Sequence, residues 1–157
     1  AIAQLNQECA RRSEARVRRP APVPGIEGAM RPRTWVPDPA ITIDHDIRDN
    51  RGNLLARAGQ RISPLSFISL RQSLVFIDGD VPAQVEWALT RYSEANAKLI
   101  MVKGAPLEAM TRHQRRFFFD QGGYLVQRFG IRAVPAIAEQ AGQSLRVSEI
   151  PLQSARP

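Results

Sequence analysis

Four stretches of the 157-residue sequence hold side chains whose types and spacing could do chemistry. The first is Asp44-His45-Asp46 with Asp49 close behind. A hard cation needs several oxygen ligands held on one loop. Here the carboxylates run into Asp49-Asn50-Arg51-Gly52, which is turn chemistry, so they read as solvated turn residues and no metal is expected. The second is Asp78-Gly79-Asp80, a carboxylate pair at the end of an apolar run. Such a pair can work as general acid and base. No histidine or nucleophile stands at close spacing, and His113 lies among arginines further along. Asp80 reads instead as the cap of the helix that follows. The third is Cys9, the single cysteine. One thiol makes no internal disulfide and no cysteine-based metal set. The fourth is Val134-Pro135, a proline at the mouth of an apolar strand, where its missing N–H calls for a reason. No catalytic residue and no cofactor is expected from any of these stretches.

Net charge is +7, with a sequence pI of about 10.9, which invites a nucleic-acid reading. Its distribution weakens that reading. Residues 1–33 hold seven arginines against three glutamates, so over half of the excess sits in one fifth of the chain. This segment reads as a solvated basic arm. No apolar run approaches the roughly 18 residues of a membrane span. The chain opens on Ala1 without a methionine, and AIAQ is similar to the small-residue tail left by signal-peptide removal.

The elements that must position these residues follow from periodicity. Residues 3–19 suit a helix with a thin apolar stripe, one that needs a packing partner. Pro20 to Pro39 holds six prolines and two glycines and reads as an extended linker, with Trp35 docking on the domain or on a partner. Residues 40–62 read as a small β-structure with turns at Asp49–Gly52 and at Gly59. From Leu74 the rhythm changes to strand 74–78, helix 81–96, strand 98–104, and a helix from Pro106 to about Arg116. Phe117–Asp120 is a third apolar run, expected in a central strand covered on both faces, the alternative being an exposed aromatic that meets a partner. A short helix with Leu125 and Phe129, a strand from Ala136, a turn at Ala141–Gln143 and a last strand to Ile150 complete the pattern. Alternation of this kind predicts a mixed central sheet with helices on its faces. The expected organisation is an arm over 1–37, a β module over 38–63, an α/β sandwich over 64–150 and a tail over 151–157.

Short helix, Phe129-Gly130-Ile131, Val134-Pro135, strand, glycine turn, strand: this phrase resembles the thioredoxin superfamily. The resemblance implies a thioredoxin-like fold and a cis Val134–Pro135 bond. The superfamily's cysteine pair would fall within Asp78–Trp87, and that stretch holds no cysteine. A longer set of blocks runs in order through the chain. They are Asp46-Ile47, Arg57-Ala58-Gly59, Ser63-Pro64-Leu65, Phe76-Ile77-Asp78-Gly79-Asp80 and Phe119-Asp120-Gln121-Gly122-Gly123, then Phe129-Gly130-Ile131 and Val134-Pro135-Ala136 with Gln140, Gly142, Leu145 and Glu149. Together they resemble the TraW family of F-type conjugative transfer proteins. That resemblance implies a periplasmic protein of a type IV secretion apparatus, needed for pilus assembly and not known for catalysis. It implies TrbC-like and TraU-like periplasmic partners.

Two surfaces are candidates for partner contacts. One is the arginine-rich arm, with Arg11, Arg12 and Arg16, and Trp35 as an anchor. The other is the edge at Val134 and Pro135, where an extended peptide can add as a strand. Two rival readings come from other classes. A disulfide-handling or chaperone-type thioredoxin-like protein would need Cys9 to trap a client. A DNA-binding module would show steep salt dependence.

Overall fold

The computed structural model describes residues 2–38, 41–42, 45–62, 71–142 and 144–152. Helix α1 (Ile2–Arg18) forms over the Ala-, Gln-, Glu- and Arg-rich start, as expected. The proline-rich stretch after it is extended but not free. Prolines 20, 22 and 24 exclude helix and favour extended backbone. That backbone is then used in pairing, as β1 (Glu27–Gly28) and β2 (Arg33–Trp35).

A nested hairpin follows. β3 (Ile41–Thr42), β4 (Ile47–Arg48), β5 (Leu54–Ala56) and β6 (Arg61–Ile62) pair antiparallel, β3 with β6 and β4 with β5. The expected turn chemistry is in place. Asp49 Oδ1 accepts the N–H groups of Arg51 and Asn53, both at 2.9 Å, and Gly52 adopts φ +83°. These bonds, those from Asn53 foremost, hold the Asp49 carboxyl below its usual range. Asp46 Oδ1 accepts the N–H of Ala58 at 2.8 Å and so sets the second turn. Arg61 pairs with Asp38, tying the hairpin to the segment that follows β2. Ile43 and Asp44, and the block Ser63-Pro64-Leu65, lie outside the described residues.

The rest alternates as the periodicity predicts: β7 (Ser73–Asp78), α2 (Pro82–Arg91), β8 (Ala97–Lys103), α3 (Pro106–His113), β9 (Phe117–Phe119), α4 (Tyr124–Phe129), β10 (Ala133–Val134), β11 (Ala136–Ala141) and β12 (Ser144–Glu149). β7, β8 and β9 run parallel, and β11 pairs antiparallel with both β7 and β12. One mixed sheet of six strands results, in the order β2-β12-β11-β7-β8-β9. Helices α2 and α3 cover one face over Val75, Ile77, Leu99, Met101 and Phe117. On the other face α4 and residues 23–35 cover Phe76, Ile100, Val102, Ala138 and Val147. The sheet therefore crosses the expected boundary at residue 37, because its outermost strand, β2, belongs to the arm.

Three expectations change. The phenylalanine run is not central: β9 ends the sheet, so Phe117 is buried while Phe118 is 36% exposed beside Lys98. The terminal hairpin takes the other side of β7, which leaves β9 no second neighbour among the described residues. Helices α2 and α3 stop short of the expected ends, at Arg91 and His113. Asp80 does not cap α2. The cap is Val81, with no side-chain bond, since the Asp80 carboxylate is taken by Arg19.

The ends of β7 and β8 are locked by two glycines. Gly104 has φ +119°, and a Cβ there would lie 2.9 Å from the Gly79 Cα. A Cβ on Gly79 would meet Met101 Sδ at 2.7 Å and the Lys103 carbonyl at 2.9 Å. Gly104→Ala thus adds a strained φ to a backbone clash, and a loss of about 3 kcal/mol is expected. Urea denaturation measures it; a change below about 1 kcal/mol would show that the two loops separate freely.

Candidate functional site at the proline loop

Strand β7 delivers Asp78 to the loop before α2, and α4 delivers the chain to β10 and Pro135. The two loops meet through Gln84, which is buried on the first turn of α2. Its Oε1 accepts the Asp78 N–H at 2.8 Å, and its Nε2 donates to the Val134 carbonyl at 3.4 Å. Asp78 Oδ1 in turn accepts the Asp80 N–H at 2.8 Å. The carboxylate pair is thus divided between turn and latch: Asp78 closes the turn, and Asp80 receives Arg19 in a two-point ion pair at 2.8 and 3.1 Å. The Arg19 hydrogen bonds hold the Asp80 carboxyl below its usual range.

Val134–Pro135 is cis, as the resemblance to the thioredoxin superfamily implies. Both side chains are buried, so neither offers a contact surface. The backbone beside them is also occupied. β1 lies parallel to β10, pairing Glu27 with Ala133 and Gly28 with Val134. The N–H groups of Glu27 and Ala29 donate to the carbonyls of Arg132 and Val134 at 3.0 and 2.8 Å. Upstream, the Val23 N–H donates to the Val102 carbonyl at 2.8 Å, and the Val23 side chain is buried. The edge expected to receive a peptide already holds this chain's own residues 23–29.

Trp35 docks on the same domain. Its indole N–H donates to the Phe129 carbonyl at 2.9 Å, and Arg33 stacks over its ring at 3.9 Å. Arg33 then reaches Glu149. That carboxylate is only 5% exposed and accepts four donors: Arg33 Nε at 2.8 Å, Arg33 Nη2 at 2.9 Å, and the N–H groups of Arg132 and Ala133 at 2.8 and 3.0 Å. Asp120, also buried, accepts the N–H groups of Leu125 and Val126, both at 3.0 Å, and so fixes the start of α4.

Of the residues singled out from sequence, Trp35, Val134 and Pro135 gather around this loop. Arg11 and Arg12 do not; they are exposed on α1, Arg12 pairing with Glu8, and α1 packs near α3. Arg16 sits on the same helix. A cleft of about 450 Å³ between α2 and α3 gathers Arg19, Asp80, Glu86, Glu108, Arg112 and His113, with both charge signs mixed. Among the described residues, no group of three or more His, Cys, Asp or Glu side chains is placed to hold a metal ion. Glu149, Gln84 and Asp120 do not stand among the sequence-based site candidates. For Glu149 a signal existed: it follows Leu145 and Val147 at spacing two, which places it on the inward face of β12.

The fold and this loop define a mixed α/β sheet protein whose proline loop is closed by its own N-terminal strap. No family model and no solved structure matches the chain. Protein TraW of Escherichia coli (strain K12) is 38% identical over 141 residues, which cover 88% of this chain and 67% of that protein. The chain belongs to the TraW family.

Proposed function

We propose that this protein is an assembly component of a conjugative transfer apparatus, acting in the periplasm through protein contacts on a thioredoxin-like sheet without redox chemistry. Its kinship to TraW supports the conjugative setting. The strand order β8-β7-β11-β12, with a proline heading β11 opposite the β7–α2 loop, supports the thioredoxin-like reading. The observation that carries the non-catalytic reading is Gln84. Where a redox relative keeps its cysteines, the start of α2 here reads Val81-Pro82-Ala83-Gln84, and the glutamine amide is committed to structural hydrogen bonds. A thiolate is the required nucleophile for disulfide exchange, and Cys9 stands on α1, away from this loop in sequence. TrbC-like and TraU-like proteins are the partners this reading names.

The test is complementation of a donor cell whose own copy is deleted. Transfer and pilus formation are expected to return with the unchanged chain, and to within about threefold with Cys9→Ser. Cell fractionation should place the protein in the periplasm. A hundredfold loss of transfer with stable, folded Cys9→Ser protein would remove the non-catalytic reading.

A further inference from the structure

Residues 19–31 bind their own domain as a peptide would. We infer that this strap is a displaceable occupant of a groove on the α4 face of the sheet, and that an extended segment of a partner protein takes its place there. The partner's existence rests on the assembly role proposed above; the groove and its occupant do not.

The groove is apolar, with buried Val102, Val126, Ile131 and Val134 beneath the strap. Among its polar groups are three carbonyls, those of Val102, Arg132 and Val134, each accepting one strap N–H. A peptide from elsewhere can supply those donors, since main-chain bonds give strand addition its affinity and alternate side chains its selectivity. The strap itself defines the ligand. It carries an arginine at Arg19 for Asp80, an aliphatic at Val23, a second at Ile26, and small residues at Gly28 and Ala29.

The hold on the strap is thin. Prolines 20, 22 and 24 have no N–H to give, so the ladder is interrupted. Val23 is the one described strap residue that is buried. The Arg19–Asp80 latch is an exposed ion pair, and such pairs contribute little. Beyond Met30, which is 87% exposed, the chain re-enters the sheet as β2, fixed by Arg33 on Glu149. Segments with few buried contacts open locally at a fraction of the global stability. Here residues 19–31 can lift as a flap while β2 stays paired.

The experiment uses the full chain, isotopically labelled, with a synthetic peptide of residues 19–31 as the probe. The amides of Val23, Glu27 and Ala29 are expected to exchange hydrogen through a denaturant-insensitive local opening, while those of β7 and β8 exchange only with global unfolding. The strap competes with the peptide, so apparent affinity scales with the fraction open. Val23→Ser in the protein is therefore expected to tighten peptide binding about tenfold, and Val23→Ser in the peptide to abolish it. Exchange of the three amides only with global unfolding overturns the inference, as does equal peptide affinity for both proteins. A peptide-free dimer overturns it in favour of strap exchange between copies. If the Val23→Ser protein does not fold, exchange in the unchanged chain decides alone. Because the components are purified, a negative result leaves the role in conjugation standing.

Discussion

Glu149→Ala is expected to lower stability by about 3 kcal/mol and the melting temperature by roughly 10 °C. The substitution leaves two part-buried N–H groups, those of Arg132 and Ala133, without their acceptor, and it frees Arg33 on β2. Arg33 is 42% exposed, so solvent screens its share and most of the loss is assigned to the two main-chain donors. Glu149→Gln keeps an acceptor oxygen and removes the charge, so a smaller loss is expected, about 1–2 kcal/mol. Acid separates the two variants. Burial alone would raise the Glu149 pKa, but Arg33 and the N–H groups of Arg132 and Ala133 outweigh it and hold the carboxyl below its usual range. A carboxyl whose folded pKa lies below its unfolded value, ~4.3, stabilises fully above that value and loses the contribution as pH falls through the folded pKa. The unchanged protein should thus lose stability faster than Glu149→Gln as pH drops below about 4.3. Urea melts across that range check it, and parallel curves would remove Glu149 as the responsible group.

The second large effect concerns the arm. From composition, residues 1–33 look removable, with 64–150 folding alone. The structure leads to the opposite expectation. Removing residues 1–35 takes away β2, which pairs Arg33, Thr34 and Trp35 with Glu149, Ser148 and Val147. It also strips Val23 from the core and the indole N–H from the Phe129 carbonyl. A loss on the order of 5 kcal/mol is expected, as large as the whole stability of many domains. The shortened chain should show a broadened thermal transition and poor dispersion of amide signals. A cooperative melt within a few degrees of the full chain would show that the arm is dispensable to the sheet.

Much of the fold was legible because its signals are local. From β7 to β12 the switches between period 2 and period 3.6, punctuated by Pro82, Gly104, Pro106 and Gly142, mark strand and helix close to where they stand. The Asp49 turn was legible for the same reason, since its donors lie within four residues. The strap was not. PAPVPG has the composition of a linker, and nothing local says that Val23 will meet Val102. Arg19 and Asp80 stand 61 residues apart, and Arg33 and Glu149 stand 116 apart. The position of β9 was hidden likewise: three phenylalanines report an apolar environment, not which side of β8 is free.

By itself the sequence determined the run of elements after residue 73, the proline loop, the lack of a cysteine pair within these 157 residues and the resemblance to TraW, since each rests on residue identity and short-range spacing. Tertiary structure alone decided that the arm is part of the sheet, that the peptide edge is filled from within, and that Glu149 joins the two. Those outcomes depend on which apolar faces and orphan backbone groups meet, and that is settled only when the whole chain must satisfy them together.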